Sequence, residues 1–173
     1  AELQRQLAQQ LLQQVQAALE GQLAHHGDRF VRAARSESGD AALDAWLNAE
    51  HGAASATFAR IAKGCRAGVA EGWLCNREGG GIKYGRVFKP ADDLHGFSVD
   101  VVDMQDIAGP HHTHPLGEID LLMPLQGDAL FDGRPAGWIV KEPGSAHRPT
   151  VTQGRALVLY LLPQGRIDFT KTA

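Results

Sequence analysis

The chain has 173 residues, 43% of them hydrophobic and 21% charged, with a formal net charge of −3; a globule of this size buries about two-thirds of its unfolded surface and needs no disulfide staple. The slightly acidic balance gives no electrostatic case for nucleic acid or an anionic membrane surface. No run approaches the roughly 20 apolar residues of a membrane span, and residues 1–6 lack a secretory apolar stretch, so the cytoplasm is the expected compartment.

Leu3, Leu7, Leu11, Val15 and Ala18/Leu19 recur every three or four residues among glutamines, which predicts an amphipathic first helix. Its stripe and its Gln-rich opposite face offer a surface for pairing. A second helix is expected over 23–34 with Phe30 and Val31; His25 and His26 lie in this half without partners and read as solvated. Asp40 is placed to cap a third helix, with Leu43, Trp46 and Leu47 inward and Gly52 at its end. A fourth over 55–71 uses Phe58, Ile61, Cys65 and Val69. Cys65 on that stripe reads as a buried inert thiol, and with Cys75 it forms no CxxC pattern.

At Gly72 the texture changes to short segments with period-two patterning, broken by Gly, Pro and Asp. Gly79-Gly80-Gly81 precedes a strand and reads as a turn; no GxGxxG unit follows a strand, so no nucleotide cofactor is expected. Strands are expected at 82–89, 96–104, 118–125, 129–131, 137–140 and 156–162. Six short strands without intervening helices argue for an antiparallel barrel or jelly roll. The predicted class is α+β, mainly β. A helical segment over 1–72 packs on a β-barrel over 73–173 and covers an edge or mouth of it.

The chemistry concentrates between Gly109 and His147. Residues two apart on a strand face the same side, so His112 and His114 point together, as do Glu118 and Asp120. Imidazoles with one carboxylate suit Zn, Fe, Ni or Mn and leave positions for substrate or water. His147, after Gly144, returns from a later strand as a third imidazole. His111 faces the opposite way from His112 and is left out.

These residues resemble the cupin superfamily. Its first motif sets a glycine ahead of His-x-His, an acid three or four residues on, and a glycine six residues after the acid; here stand Gly109, His112, His114, Glu118 and Gly127. Its second motif is matched by Gly137, Pro143, Gly144 and His147, although Pro143 abuts Gly144 and Val151 stands where Asn is common. Glu118 has the right distance from His114, whereas Asp120 has the right distance from Gly127. Spacing alone does not choose between them; Glu118 is the preferred ligand. Cupin barrels often pair, which adds to the expectation of a homodimer or higher homo-oligomer.

A narrower resemblance covers roughly residues 70–170. The runs 80–87 and 95–100, Gly109-Pro110-His111-His112, Gly117-Glu118-Ile119-Asp120 and 143–150 are similar to bacterial 4-hydroxylaminobenzoate lyases of nitrobenzoate breakdown. The resemblance implies conversion of 4-hydroxylaminobenzoate and water to 3,4-dihydroxybenzoate and ammonia. A divalent metal (Fe, Mn, Zn or Ni) on His112, His114, Glu118 and His147 would act as a Lewis acid, with Asp120 transferring protons. A benzoate requires a cation, and Arg86 and Arg148 are the candidates. Arg86 shares an apolar strand face with Ile82, Tyr84 and Phe88, which a barrel interior would favour. Tyr84 and Tyr160 are candidates to stack on or hydrogen-bond an aromatic substrate, and Trp138 reads as core. The same ligands would serve an Fe(II) dioxygenase on an aromatic or ketone. A non-catalytic small-ligand sensor is the third reading, although the helical half lacks the basic face of a DNA binder.

Overall fold

The computed structural model describes residues 37–170 together with Gln13, Val15 and Gln16. Those three are helical, and Val15 is fully buried in the core; the rest of the two helices expected before residue 35 lies outside the described residues. Helix α1 spans Glu37–His51 and α2 spans Ala56–Ala70. Ser55 caps α2, its hydroxyl accepting from Phe58 N at 3.0 Å, so one of the four unpaired N–H groups at the helix start is satisfied. Asp40, expected as a cap, lies inside α1 instead, since the helix spans Glu37–His51. None of the described helices is long and apolar enough to cross a membrane.

Nine strands follow: β1 Arg77–Gly79, β2 Ile82–Phe88, β3 Phe97–Ala108, β4 His112–His114, β5 Glu118–Phe131, β6 Gly137–Lys141, β7 Ser145–His147, β8 Thr150–Pro163 and β9 Asp168–Phe169. They form a six-stranded sheet, order β1-β2-β3-β8-β5-β6, and a three-stranded sheet, order β7-β4-β9, with every pairing antiparallel. This is the mainly β, jelly-roll type of architecture expected, as two sheets rather than one closed ring of strands.

Segments 118–125 and 129–131 are one strand, not two. Register shifts at Pro124/Gln126 and Gly127/Leu130 absorb a proline that cannot donate to the ladder and the polar stretch after it. Strand β8 begins at Thr150, six residues earlier than its apolar run suggests. Gly127 and Gly154 face each other where β5 and β8 cross; a Cβ on Gly154 would sit 2.0 Å from Gln126 O, and one on Gly127 2.5 Å from Gln153 O. Only glycines permit that approach.

Strand β8 lies inside the large sheet and is apolar on both faces. Leu157, Leu159 and Leu161 join Leu47, Ile61 and Cys65 of the helices with Val99, Leu121 and Trp138. Ala156, Val158, Tyr160 and Leu162 join Met104, Leu122, Phe131 and Ile139 on the other face. The two sets alternate along the strand, as the pleat requires. Burial pushes both cysteine thiols up to about 12, as an inert core thiol demands.

Helix α1 closes the free edge of β6 with side chains. Asn48 Nδ2 donates to Trp138 O and Trp138 N donates to Asn48 Oδ1, both at 2.8 Å, while Val140 N donates to Asp44 Oδ2 at 3.1 Å. An edge strand paired in this way offers no template for a stray strand.

Candidate metal centre

The site lies between the two sheets, on the face of β5 turned away from the helices. Strand β4 supplies His112 and His114, both buried, while Thr113 between them points away. Strand β7 pairs with β4 so that His147 stands directly opposite His112. Glu118 opens β5, its neighbour Asp120 on the same face, and both are buried. One atom from each of His112, His114, Glu118 and His147 lies within 4.8 Å of all the others. Asp120 is outside that set. Exposed His111 is elsewhere, its Nδ1 2.7 Å from Thr170 Oγ1.

The hydrogen bonds orient the imidazoles. His112 Nδ1 lies 3.0 Å from Pro110 O, a pure acceptor, so Nδ1 carries the proton and Nε2 presents its lone pair. His147 Nδ1 lies 2.6 Å from Asp132 Oδ2, so its Nε2 is turned inward as well. The two Nε2 atoms are then 3.1 Å apart, lone pair against lone pair. Such a contact requires a cation between them, either a proton or a metal ion. His114 Nδ1 is 3.2 Å from Glu118 Oε2, and His147 Nε2 is 3.8 Å from Glu118 Oε1. Yet neither nitrogen of His114 has a hydrogen-bond partner, and the carboxyl oxygens of Glu118 and Asp120 have none among the described residues beyond each other. Buried polar atoms left this way cost about 1–3 kcal/mol each.

Electrostatics point the same way. Burial first, then the neighbouring imidazoles, lower His112 to about 4 and His114 to about 3, so both are neutral lone-pair donors. Burial, followed by the Asp120 carboxyl, holds Glu118 well above the usual carboxylate range, and burial raises Asp120 to about 8. Burial would raise Asp132 too, but hydrogen bonds from His147 and Lys141 outweigh it and bring it down to about 2. Two imidazoles kept neutral by burial, a third whose Nε2 faces them and a buried carboxyl are a donor set that fits a divalent cation.

His112 also lines a cavity of about 1020 Å³, whose walls include Tyr84, Arg86, Asp100, Arg148, Tyr160 and Phe169. The four residues proposed from sequence for substrate therefore share one space. Arg86 lines this space from the face of β2 that also bears Ile82 and Tyr84, whereas a register shift after Arg86 sends Phe88 to the helix-side core. Tyr84 is 41% exposed and β2 borders the open cavity. Arg86 Nε is 2.8 Å from Asp100 Oδ1, its register partner on β3, and Nη2 donates to Gly165 O at 3.1 Å. Arg148 Nη1 donates to Gly109 O at 3.1 Å. Tyr160 is buried with its ring edge-on to Phe131, and burial, then the Asp120 carboxyl, holds its phenol well above its ordinary value.

Three residues escape sequence reasoning. Asp132 and Lys141 stand behind His147 and carry no signal of their own in the sequence. Phe169, 59% exposed, sets its ring edge-on to His112 with centroids 5.5 Å apart; only its pairing through β9 with β4 brings it there.

A family model for 4-hydroxylaminobenzoate lyase (PnbB) matches residues 25–169. The 4-hydroxylaminobenzoate lyase of Pseudomonas putida is 32% identical over 157 residues, covering 81% of this chain and 89% of that protein. That of Nocardioides sp. (strain LMS-CY) is 32% identical over 152 residues, covering 83% and 90%. Among solved structures, an RmlC-like cupin protein from Ralstonia eutropha aligns with TM-score 0.40 at 13% identity, over 53% of this chain and 61% of that one. An oxalate oxidase in complex with glycolate aligns with TM-score 0.41 at 22% identity, over 54% and 57%. The chain thus spans less than two-thirds of either solved structure.

Proposed function

The chain belongs to the 4-hydroxylaminobenzoate lyase family, and from that premise we propose that it converts 4-hydroxylaminobenzoate and water to 3,4-dihydroxybenzoate and ammonia at the His112–His114–Glu118–His147 centre. The observation that carries the proposal is the convergence of those four side chains beside a cavity that also holds Arg86 and Arg148. Iron, manganese, zinc and nickel all suit the donor set. When bound, the divalent ion supplies Lewis acidity to the hydroxylamino group.

The balance is internal. The N–O bond breaks and its oxygen leaves as water; a water adds to the ring carbon next to the one that bears nitrogen, a further water displaces ammonia from the imine carbon, and loss of the proton from the hydroxylated carbon restores the aromatic ring. Nitrogen is reduced and the ring oxidised within one molecule, so neither nicotinamide nor flavin is required. Glu118 is the carboxylate ligand, because its oxygens approach two of the imidazoles while Asp120 stands aside. Asp120, buried on the same face beside Glu118, is the group that transfers protons. Arg148 and Arg86 hold the substrate carboxylate, and Tyr84 and Tyr160 flank its ring.

The test is an anaerobic assay of metal-loaded protein on 4-hydroxylaminobenzoate. Stoichiometric ammonia and 3,4-dihydroxybenzoate are expected. No release above the uncatalysed rate overturns the proposal, and turnover that consumes oxygen assigns the centre to dioxygenase chemistry instead.

A further inference from the structure

Asp132 occupies the first corner of a two-residue turn between Phe131, which ends β5, and Arg134, which bridges back to it ahead of β6. Its φ is +49° and that of Gly133 is +78°, and Phe131 and Arg134 exchange backbone hydrogen bonds at 2.9 Å. That is the twist-matched hairpin turn that Asp-Gly and Asn-Gly favour. Turn geometry explains the backbone but not the side chain, which folds back toward the metal centre. Oδ2 lies 2.6 Å from both His147 Nδ1 and Lys141 Nζ, and Oδ1 accepts from Thr150 N at 2.9 Å.

We propose that Asp132 is a positioning residue, clamped by Lys141 and Thr150, that fixes the Nδ1–H form of His147 and aims its Nε2 at the bound ion. The inference rests on the metal centre proposed above. Partners of this kind behind a ligating histidine raise its basicity and hold its ring, and their loss typically weakens metal binding about 10–100-fold.

Asp132→Asn isolates this role from the turn. Asn-Gly suits the same turn and asparagine keeps one acceptor oxygen, so the charge and one of the two acceptor atoms are lost while the backbone is kept. Asp132→Gly keeps the turn and removes the whole partner. Titrating full-length, metal-free protein with Co²⁺, read by the visible d–d bands, should give affinity about tenfold weaker in D132N and about 100-fold weaker in D132G. Independently, ¹⁵N NMR of metal-free wild type should show His147 protonated at Nδ1, and D132G should lose that preference. A neutral His147 whose single proton sits on Nε2 in the wild type overturns the inference. So does Co²⁺ affinity within about twofold of wild type in both variants, even if D132G melts lower. Wild type that takes up no Co²⁺ while His147 keeps its Nδ1 proton overturns the metal centre itself, and with it the purpose assigned to Asp132.

Discussion

At the scale of single residues, the centre is a set of lone pairs that only a cation can reconcile. Removing one imidazole removes both a ligand and the lone-pair repulsion that a cation would relieve. His112→Ala should therefore abolish stoichiometric metal uptake, measured by elemental analysis, together with ammonia release. Full retention of either would displace the site. The arginines are a finer question, because Arg86 already serves Asp100 and the Gly165 carbonyl. Arg86→Leu and Arg148→Leu should each raise KM for the benzoate on the order of tenfold to a hundredfold, the loss of a charged hydrogen bond, and raise it far less for an uncharged analogue. Equal effects on both substrates would make the arginine structural. Much of this was legible: a period of two alone puts His112 beside His114 and Glu118 beside Asp120. The choice between the acids was not, because both share the face and only side-chain reach separates them. Asp132 was invisible for another reason. Asp before Gly reads as a turn, and nothing local states that its carboxylate reaches a histidine 15 positions on.

Elements were legible in proportion to length and patterning. Helix α2 could be read from its apolar stripe, and the long strands from alternation. Strands of two or three residues, β4, β7 and β9, have too few positions to show a period, yet these carry three of the four candidate ligands or border them. The extension of β8 back to Thr150 was hidden because glycine and polar residues suit the narrow crossing with β5 better than apolar ones. Helix α1 plays a part that no helical pattern announces, that of a neighbouring strand for β6. Asn48→Ala would strand the backbone N–H and C=O of Trp138. At about 1–3 kcal/mol for each unpaired group, with water entering to relieve part of it, a loss of roughly 2–4 kcal/mol is expected. In thermal denaturation that is a fall of about 4–16 °C at this chain length. An unchanged melting temperature would mean the edge is held by packing alone.

At the scale of the whole molecule, β8 divides the protein into a face that is packed and a face that reacts. Leu157, Leu159 and Leu161 seat the helices, while Tyr160, one residue over, lines the cavity. The four candidate ligands come from β4 and β7 of the small sheet and β5 of the large one, so an ion bound there would crosslink the two layers. Binding to the folded chain alone stabilises it by about 2.7 kcal/mol when the free ion is at 100 times its Kd. For a domain of this size that is a rise of about 5–11 °C. Calorimetric scans of metal-free protein should show this rise on adding the divalent ion and its reversal by a chelator, whereas His112→Ala should show neither. A wild-type transition indifferent to metal would mean that the two sheets hold together without the ion, and that these four side chains converge for some reason other than coordination.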